Sequence, residues 1–162
     1  MSSDSYKRSF AKNEARFVET VREVFDPLKE KIFADLNEHL KREKGDVLEI
    51  GIGAGQNFDF YPVGTSLIAV DSNPHVEQLL KAKLMNEGDR IQLKKFVVAS
   101  AEDMSCTGQV GVEDNSVAAV VCTFVMCSPT KRETRKILQE VKRVLMPVST
   151  AKGRGCSSEN LN

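Results

Sequence analysis

An apolar run that ends in alternating glycines is the feature that most restricts how this chain can fold. The run Val47 to Ile50 is followed by Gly51, Gly53 and Gly55, with one residue between successive glycines. Glycine has no Cβ, so it adopts positive φ readily and lets a ligand pack directly against the backbone. The pattern predicts a buried strand that opens into a tight turn at a ligand site.

Further apolar runs alternate with helical patterns along the chain. The predicted strands are 47–50, 67–70, 91–98 and 117–123. Helices are predicted to begin at Asn73-Pro74 and at Ser128-Pro129. Strands that alternate with helices indicate a parallel sheet with right-handed crossovers, so the predicted fold class is α/β.

Residues 1–45 are predicted to form a helical cap of two helices, separated at Asp26-Pro27. Asp26 is expected to cap the second helix and Pro27 to occupy its first position. The second helix carries one apolar stripe, made of Leu28, Ile32, Phe33, Leu36 and Leu40. We expect this stripe to pack on the sheet.

Length, charge and cysteine content exclude several classes of protein. A chain of 162 residues supports one domain, predicted at 46–147, and the Gly- and Ser-rich stretch 148–162 is predicted to be a disordered tail. Basic and acidic residues number 23 each, which argues against nucleic acid as a partner. The four cysteines form no CxxC pair, so neither a metal site nor a disulfide framework is expected. With no apolar run near the roughly 20 residues that span a bilayer, we expect a cytoplasmic protein.

The glycine spacing is compatible with more than one class of ligand. A dinucleotide fingerprint, G-x-G-x-x-G, would need its third glycine where Gln56 stands, which disfavours a nicotinamide or flavin cofactor. The spacing here is E-x-G-x-G-x-G, beginning at Glu49. A tight turn that binds nothing is the structural alternative.

Asp71 is a second candidate for a ligand-binding residue. It ends the second predicted strand, at the carboxyl edge where open α/β sheets hold ligands. A carboxylate there accepts hydrogen bonds from both hydroxyls of a ribose and rejects a 2′-phosphate. The alternative is that Asp71 only caps the helix that begins at Asn73-Pro74.

The ends of the third and fourth predicted strands add further candidates. The loop Ser100-Ala101-Glu102-Asp103-Met104 follows the third strand, and its acidic pair is otherwise an ordinary surface turn. Thr123, Phe124 and Cys127 follow the fourth strand. Cys127 is interpreted as a small apolar filler rather than a nucleophile, because no histidine neighbours it in the sequence.

His39 and His75 lie on predicted helices, and neither is expected to be a general base.

Four blocks of the chain resemble the class I S-adenosylmethionine-dependent methyltransferases, and within them the methyltransferase-like thiol S-methyltransferases. The blocks are Leu48-Glu49-x-Gly51-x-Gly53-x-Gly55-x-Asn57-Phe58-x-Phe60-Tyr61-Pro62, Asp71-x-Asn73-Pro74, Phe96-Val97-Val98-Ala99 with Glu102-Asp103-Met104, and Val120-Val121-Cys122-Thr123-x-Val125-x-Cys127-Ser128. The match continues through Glu140-Val141-x-Arg143-Val144-Leu145-x-Pro147. The resemblance implies a Rossmann-like sheet with parallel strands in the order 3-2-1-4, S-adenosylmethionine as cofactor, and methyl transfer to a small acceptor, a thiol above all.

The resemblance also implies where the cofactor is held. Glu49 would place the methionine moiety, the glycines would admit it, Asp71 would hold the ribose, and the loop after the third strand would lie against adenine. Residues just past the fourth strand would border the methyl group and its acceptor. The complete set of predicted cofactor-binding residues is Glu49, Gly51, Gly53, Gly55, Asn57, Asp71, Ser72, Ala101, Glu102 and Thr123. No catalytic acid or base is assigned.

The chain departs from the family at both ends. Family members carry an apolar anchor for endoplasmic reticulum or lipid-droplet membranes, and nothing like it precedes Lys31; they also continue past Pro147 into further strands. We therefore expect an incomplete sheet whose fourth strand is an apolar edge, with self-association through that edge. A cofactor-binding module without turnover and a nicotinamide-dependent oxidoreductase are the alternative functions.

Overall fold

A computed structural model of the chain describes residues 4–105, 111–127 and 129–147. The predicted tail 148–162, Ser128 and two of the cysteines, Cys106 and Cys156, lie outside the described residues. In chain order the elements are α1 (Asp4–Arg42), β1 (Asp46–Ile50), a short 3₁₀ helix (Phe58–Phe60), β2 (Thr65–Asp71), α2 (Val76–Glu87), β3 (Ile91–Val98), β4 (Val117–Cys122) and α3 (Lys131–Val144).

The four strands form one parallel sheet in the order β3-β2-β1-β4, which confirms the predicted α/β class and strand order. Their carboxyl ends lie at one edge, because Ile50 pairs with Val70 on one side and with Cys122 on the other. The residues that follow these strands therefore converge on one side of the sheet.

Both faces of the sheet are covered. Successive residues of β1 point to opposite faces, so Val47 packs with the apolar residues of α1 and α2, whereas Leu48 packs with those of α3. This two-sided burial explains why the strands read as continuous apolar runs.

The N-terminal segment is one helix, and the predicted break at Asp26-Pro27 is wrong. Asp26 accepts a hydrogen bond from Arg22 Nε at 3.1 Å instead of capping a new helix. Aromatic side chains anchor α1 on both sides of Pro27: Phe25 lies 4.9 Å from the Phe124 ring and Phe33 lies 4.8 Å from the Tyr61 ring. Because tertiary contacts hold both halves, the loss of one backbone hydrogen bond at proline does not end the helix.

The predicted stripe on this helix is also partly wrong. Phe33 is buried, and Leu36 and Leu40 pack against the core, but Leu28 and Ile32 are exposed. The buried face is rotated so that Lys29 points inward, one turn from both Phe25 and Phe33. None of the helices that the structure describes is long and apolar enough to cross a membrane.

Helix α3 begins later than the Ser128-Pro129 prediction. Thr130 is its N-cap and forms a capping box with Glu133, in which each side chain accepts from the backbone N–H of the other residue. The chain leaving α3 then returns to the sheet, where Leu145 pairs with Val117 and Met146 N donates to Val117 O at 2.9 Å.

The outer edge of β4 is thus partly covered. Its first residue, Val117, pairs with Leu145, and His39 Nε2 of α1 donates to the carbonyl oxygen of Ala118 at 2.9 Å. Beyond these two residues, the rest of β4 pairs only with β1 among the described residues. The predicted open edge therefore begins at the third residue of the strand.

Candidate functional site

A cleft of about 670 Å³ opens at the carboxyl edge of the sheet. Six of the ten predicted cofactor-binding residues line it: Gly51, Asp71, Ser72, Ala101, Glu102 and Thr123. The other four, Glu49, Gly53, Gly55 and Asn57, are not among its lining residues. Every strand contributes to the lining at or just beyond its last residue, as a parallel sheet requires.

The glycine loop has the backbone that its sequence predicted. Gly51, Gly53 and Gly55 have φ of 68°, 52° and 76°, values that strain any residue with a Cβ. At Gly51 a Cβ would overlap the Val125 side chain, and at Gly55 it would lie 2.8 Å from the Phe58 ring. At least two of the glycines are therefore required by packing within the protein as well as by φ.

Glu49 lies beneath this loop and is 1% exposed. Its Oε1 accepts from Asn57 Nδ2 at 2.7 Å and its Oε2 accepts from the Tyr61 hydroxyl at 2.7 Å. Burial raises the pKa of Glu49 from 4.5 to about 7, although both hydrogen bonds oppose that rise. Glu49 is thus placed to hold Asn57 and Tyr61 rather than to face the cleft.

Asn57 joins the glycine loop to the end of β4. Its Nδ2 donates to Glu49 and also to Thr123 Oγ1, at 2.8 Å. Its Oδ1 is buried and has no hydrogen-bond partner, and neither has Nε2 of Gln56. Buried polar atoms are rarely left unpaired, so these two atoms next to the glycines are the kind that a polar ligand satisfies.

Asp71 ends β2 and faces the cleft. Its Oδ1 accepts from the backbone N–H of Asn73 at 2.8 Å and its Oδ2 accepts from that of Gly53 at 3.1 Å. Burial raises the pKa of Asp71, and these backbone donors counteract the rise. Each oxygen keeps a further lone pair, so the carboxylate still has capacity to accept hydrogen bonds from a ligand.

The loop after β3 is fixed from below. Met104 is buried, and its backbone N–H donates to Glu140 Oε2 at 2.7 Å; Glu140 in turn is held by Arg143. Ala101 and Glu102 line the cleft, but the Glu102 carboxylate pairs with Lys136 at 3.2 Å. This loop therefore presents a defined backbone, while its acidic side chain is engaged by α3.

The residues after β4 form an apolar wall. Phe124 has φ 59°, an unusual value for an aromatic residue, and it lines the cleft together with Val125. Cys127 is exposed, does not line the cleft, and donates from Sγ to the Phe124 carbonyl oxygen. A strained non-glycine residue at a cleft wall is typical of functional sites.

Helix α1 reaches the cleft through residues that the sequence did not single out. Tyr6 and Lys7 line it, and Asn73 Nδ2 donates to the Lys7 carbonyl oxygen at 2.8 Å. Farther along, Lys29 is 5% exposed, and its Nζ lies 5.4 Å from the centre of the Phe60 ring and 5.5 Å from that of Phe124. Its spacing of one turn from Phe25 and Phe33 was the signal for a buried lysine.

The other polar candidates take structural roles. His39 pairs with the edge of β4, and His75 Nε2 lies 2.6 Å from Asp4 Oδ1 near the start of α1. Within the described ranges, no three potential His, Cys, Asp or Glu ligands are grouped to hold a metal.

Comparison with known proteins places this geometry in a family. The sequence profile of the methyltransferase domain matches residues 47–148, a span that holds the glycine loop, Asp71 and all of the sheet except Asp46. Human thiol S-methyltransferase TMT1B is 46% identical over 101 residues, which cover 62% of this chain and 38% of the relative. Human thiol S-methyltransferase TMT1A is 40% identical over 133 residues, covering 82% of this chain and 51% of the relative.

Solved structures agree with the fold. A crystal structure of an S-adenosylmethionine-dependent methyltransferase from Methanosarcina mazei superposes with a TM-score of 0.53 at 25% identity, covering 69% of this chain and 52% of that one. The chain spans about half the length of the curated relatives it matches, or less.

Proposed function

The chain belongs to the methyltransferase-domain family, and from that premise we propose that it binds S-adenosylmethionine in the cleft and transfers its methyl group to a small thiol. The family match confirms the resemblance inferred from the four sequence blocks, together with the cofactor that it implied. It does not favour a nicotinamide-dependent oxidoreductase, the alternative that Gln56 already disfavoured.

One observation carries the proposal: Gly51, which has positive φ, lines the cleft together with the carboxylate of Asp71, and the backbone N–H of Gly53 donates to that carboxylate. The unpaired Asn57 Oδ1 and Gln56 Nε2 supply an acceptor and a donor next to those glycines. The cofactor's methionine part carries both an ammonium and a carboxylate, so it matches this pair of atoms. The residues present therefore fit the group.

Six of the predicted site residues receive a role here. Asp71 holds the ribose hydroxyls with its remaining lone pairs, and Ser72 borders the same end of the cleft. The loop of Ala101 and Glu102 lies against the adenine. Glu49 acts through Asn57, since its own oxygens are already engaged.

The reaction requires the protein mainly to position the methyl donor and the acceptor. When bound, the cofactor would supply a methyl group carried by a sulfonium. A thiolate would attack the methyl carbon, and S-adenosylhomocysteine would leave with the electron pair of the broken carbon–sulfur bond. Holding two reactants in line is worth as much as about 7–11 kcal/mol of the barrier. Phe124 and Val125 give that side of the cleft an apolar wall, and no acid or base is required of it.

A thiol acceptor is supported by the two human relatives described above, each of which is named as a thiol S-methyltransferase. Cytoplasmic location, the division at residues 45 and 147, and self-association stay predictions. The location is supported by the cysteine pattern.

Calorimetric titration with S-adenosylhomocysteine, the demethylated product, tests the proposal. Asp71→Ala should weaken binding by roughly 1.5–3 kcal/mol, because charge-assisted hydrogen bonds to the ribose are lost. Asp35→Ala, at an exposed position of α1, is the matched control and should bind like the parent protein. Equal affinity of the two variants would remove Asp71 from the site.

Transfer of a labelled methyl group to an alkyl thiol tests the activity separately. Formation of the methylated thiol supports the proposed methyltransferase activity. Tight binding of S-adenosylhomocysteine without product formation supports the alternative, a cofactor-binding module without turnover.

A further inference from the structure

The start of helix α1 forms part of the cleft wall, and the proposed binding of S-adenosylmethionine gives it no role. Tyr6 and Lys7 line the cleft together with the residues at the end of β2, which are Asp71, Ser72 and Asn73. Tyr6 is 59% exposed, so most of its surface is accessible from solvent. A large aromatic side chain in this position offers a planar apolar surface to a ligand that occupies the cleft.

Two contacts hold the start of α1 at this place. Asn73 Nδ2 donates to the Lys7 carbonyl oxygen at 2.8 Å. Nearer the beginning of the helix, His75 Nε2 lies 2.6 Å from Asp4 Oδ1. The backbone N–H of Asn73 also donates to Asp71 Oδ1 at 2.8 Å, so one residue links the helix to that carboxylate. The first two turns of α1 are therefore held next to Asp71.

The chemistry of Asp71 indicates which part of a ligand lies here. Its carboxylate keeps lone pairs for further hydrogen bonds and ends a parallel strand, where it is placed to accept from two adjacent hydroxyls such as those of a ribose. In a nucleoside the base is bonded to the carbon next to the one that carries the 2′-hydroxyl. A base whose ribose is held at Asp71 therefore lies close to the neighbouring wall of the cleft, which includes Tyr6.

Phe124 does not offer the same contact. It is the other aromatic residue among the described side chains that line the cleft, and it follows β4. In the sheet β1 separates β4 from β2, so the ends of these two strands lie about 10 Å apart. The Phe124 ring also packs edge-on against Phe25 of α1. Of the two rings, that of Tyr6 is therefore the one on the side of Asp71.

We propose that Tyr6 is a cofactor-binding residue whose ring stacks on the adenine of S-adenosylmethionine, an inference that rests on the proposed function. Stacking on an aromatic side chain is a common way to bind a base, because every base has a flat π-face. The domain profile begins at residue 47, so Tyr6 lies outside the part of the chain that shows the family. The contact adds a residue of α1 to a site that is otherwise built at the ends of the strands.

The competing explanation is structural: Tyr6 is a surface residue of α1 that never touches the cofactor. The two explanations differ in what they require of the side chain. Stacking needs the aromatic ring, so Tyr6→Phe keeps it, whereas Tyr6→Leu loses it although leucine is also large and apolar. A residue that only covers the surface of the helix should tolerate both changes alike.

Calorimetric titration with S-adenosylhomocysteine compares Tyr6→Leu and Tyr6→Phe with the control Ser9→Ala, an exposed position three residues further along α1. Tyr6→Leu should raise Kd about 5- to 50-fold, the range expected for losing one aromatic stack on a base. Tyr6→Phe should stay within about threefold of the parent protein, because the ring is retained. A Kd for Tyr6→Leu equal to that of Ser9→Ala overturns the proposal, and so does an equal loss in Tyr6→Leu and Tyr6→Phe.

A second measurement detects the contact directly. The chain has no tryptophan and two tyrosines, Tyr6 and Tyr61, of which Tyr61 is 1% exposed. A base stacked on tyrosine quenches its fluorescence, so S-adenosylhomocysteine should quench the emission of the parent protein. Tyr6→Phe, which is expected to bind with similar affinity, should show no quenching. Quenching that survives in Tyr6→Phe, or that is absent from the parent protein at saturating ligand, overturns the proposal.

Adenosine and the methyl-transfer assay separate failure of this proposal from failure of the proposed function. If methyl transfer to the alkyl thiol is detected but saturating S-adenosylhomocysteine leaves the emission unchanged, the proposed function stands and Tyr6 is removed from the site. If adenosine quenches the emission of the parent protein but not that of Tyr6→Phe, and no methyl group is transferred, the nucleoside contact stands and the proposed methyltransferase function fails.

Discussion

The two sides of the cleft are built differently. On the side of β1 and β2, polar groups are fixed by buried hydrogen bonds: Asn57 and Tyr61 on Glu49, and two backbone N–H groups on Asp71. On the side of β4 the wall is apolar, partly exposed and strained at Phe124. Within this wall, Phe124 is supported by Phe25 and Lys29 of α1.

The difference matches the two tasks of the proposed reaction. A polar, rigid side suits a cofactor with the same charged and hydroxyl groups in every cycle. An apolar side held by a separate helix suits an acceptor that must lose water before it reacts. A side-chain hydrogen bond from Asn57 to Thr123 joins the polar side to the end of β4.

The largest expected effect is at the glycine loop. Gly51→Ala should lower the free energy of unfolding by roughly 2–5 kcal/mol, because a left-handed φ of 68° and overlap with Val125 act together. Gly64 has φ 83° with open space around it, so Gly64→Ala carries the backbone strain alone, about 1–2 kcal/mol. Urea unfolding of both variants measures the difference, and equal losses would mean that the cleft wall does not constrain Gly51.

The next effect is the pH dependence that Glu49 imposes. Its pKa is about 7 in the folded protein against an ordinary 4.5, so between these values the unfolded chain has lost a proton that the folded protein retains. The contribution of Glu49 to the free energy of unfolding is fully present below pH 4.5 and falls by about 3 kcal/mol as the pH rises through 7. The size of the fall follows because each unit of pKa shift corresponds to about 1.4 kcal/mol. In Glu49→Gln that fall should be absent.

Urea unfolding of the parent protein and Glu49→Gln at pH 4.5, 6 and 8 checks the point, because other groups cancel in the difference. If the difference in unfolding free energy between the two proteins stays constant across these pH values, the pKa of Glu49 is the same in the folded protein as in the unfolded chain, and the prediction is wrong.

A smaller effect is expected where the two sides meet. Thr123→Val removes the acceptor for Asn57 Nδ2 and should lower stability by about 1 kcal/mol, since that amide keeps its bond to Glu49. Thr134→Val, which removes only a bond within α3, is the control. The Thr123 variant should also weaken S-adenosylhomocysteine binding, and the control should not.

The smallest effect concerns the edge of β4. We expect weak self-association, detected by light scattering at increasing protein concentration, because the later part of β4 pairs only with β1 among the described residues. His39→Ala should strengthen it by freeing the Ala118 carbonyl oxygen. A strictly monomeric protein for both variants would contradict the prediction.

Local residue patterns were sufficient to predict the strands of the sheet and the residues at the mouth of the cleft. The strand order followed from the family resemblance, whereas the class, the positive φ of the glycines and the place of Asp71 follow from short-range features: apolar runs, missing side chains and a carboxylate at the end of a strand. The same features led to the family. The role of Glu49 did not follow, because its partner Tyr61 is twelve residues away and only the fold brings their side chains together.

What the sequence by itself determined is the cofactor side of this protein, where chemistry and backbone conformation are encoded in consecutive residues. The tertiary structure alone decided the other side: that α1 runs unbroken through Pro27, that Leu28 and Ile32 face outward, and that Lys29 enters the space between Phe60 and Phe124. The physical reason is that a helix is rotated and held by the surface it packs on, and contacts between distant segments outweigh local propensity.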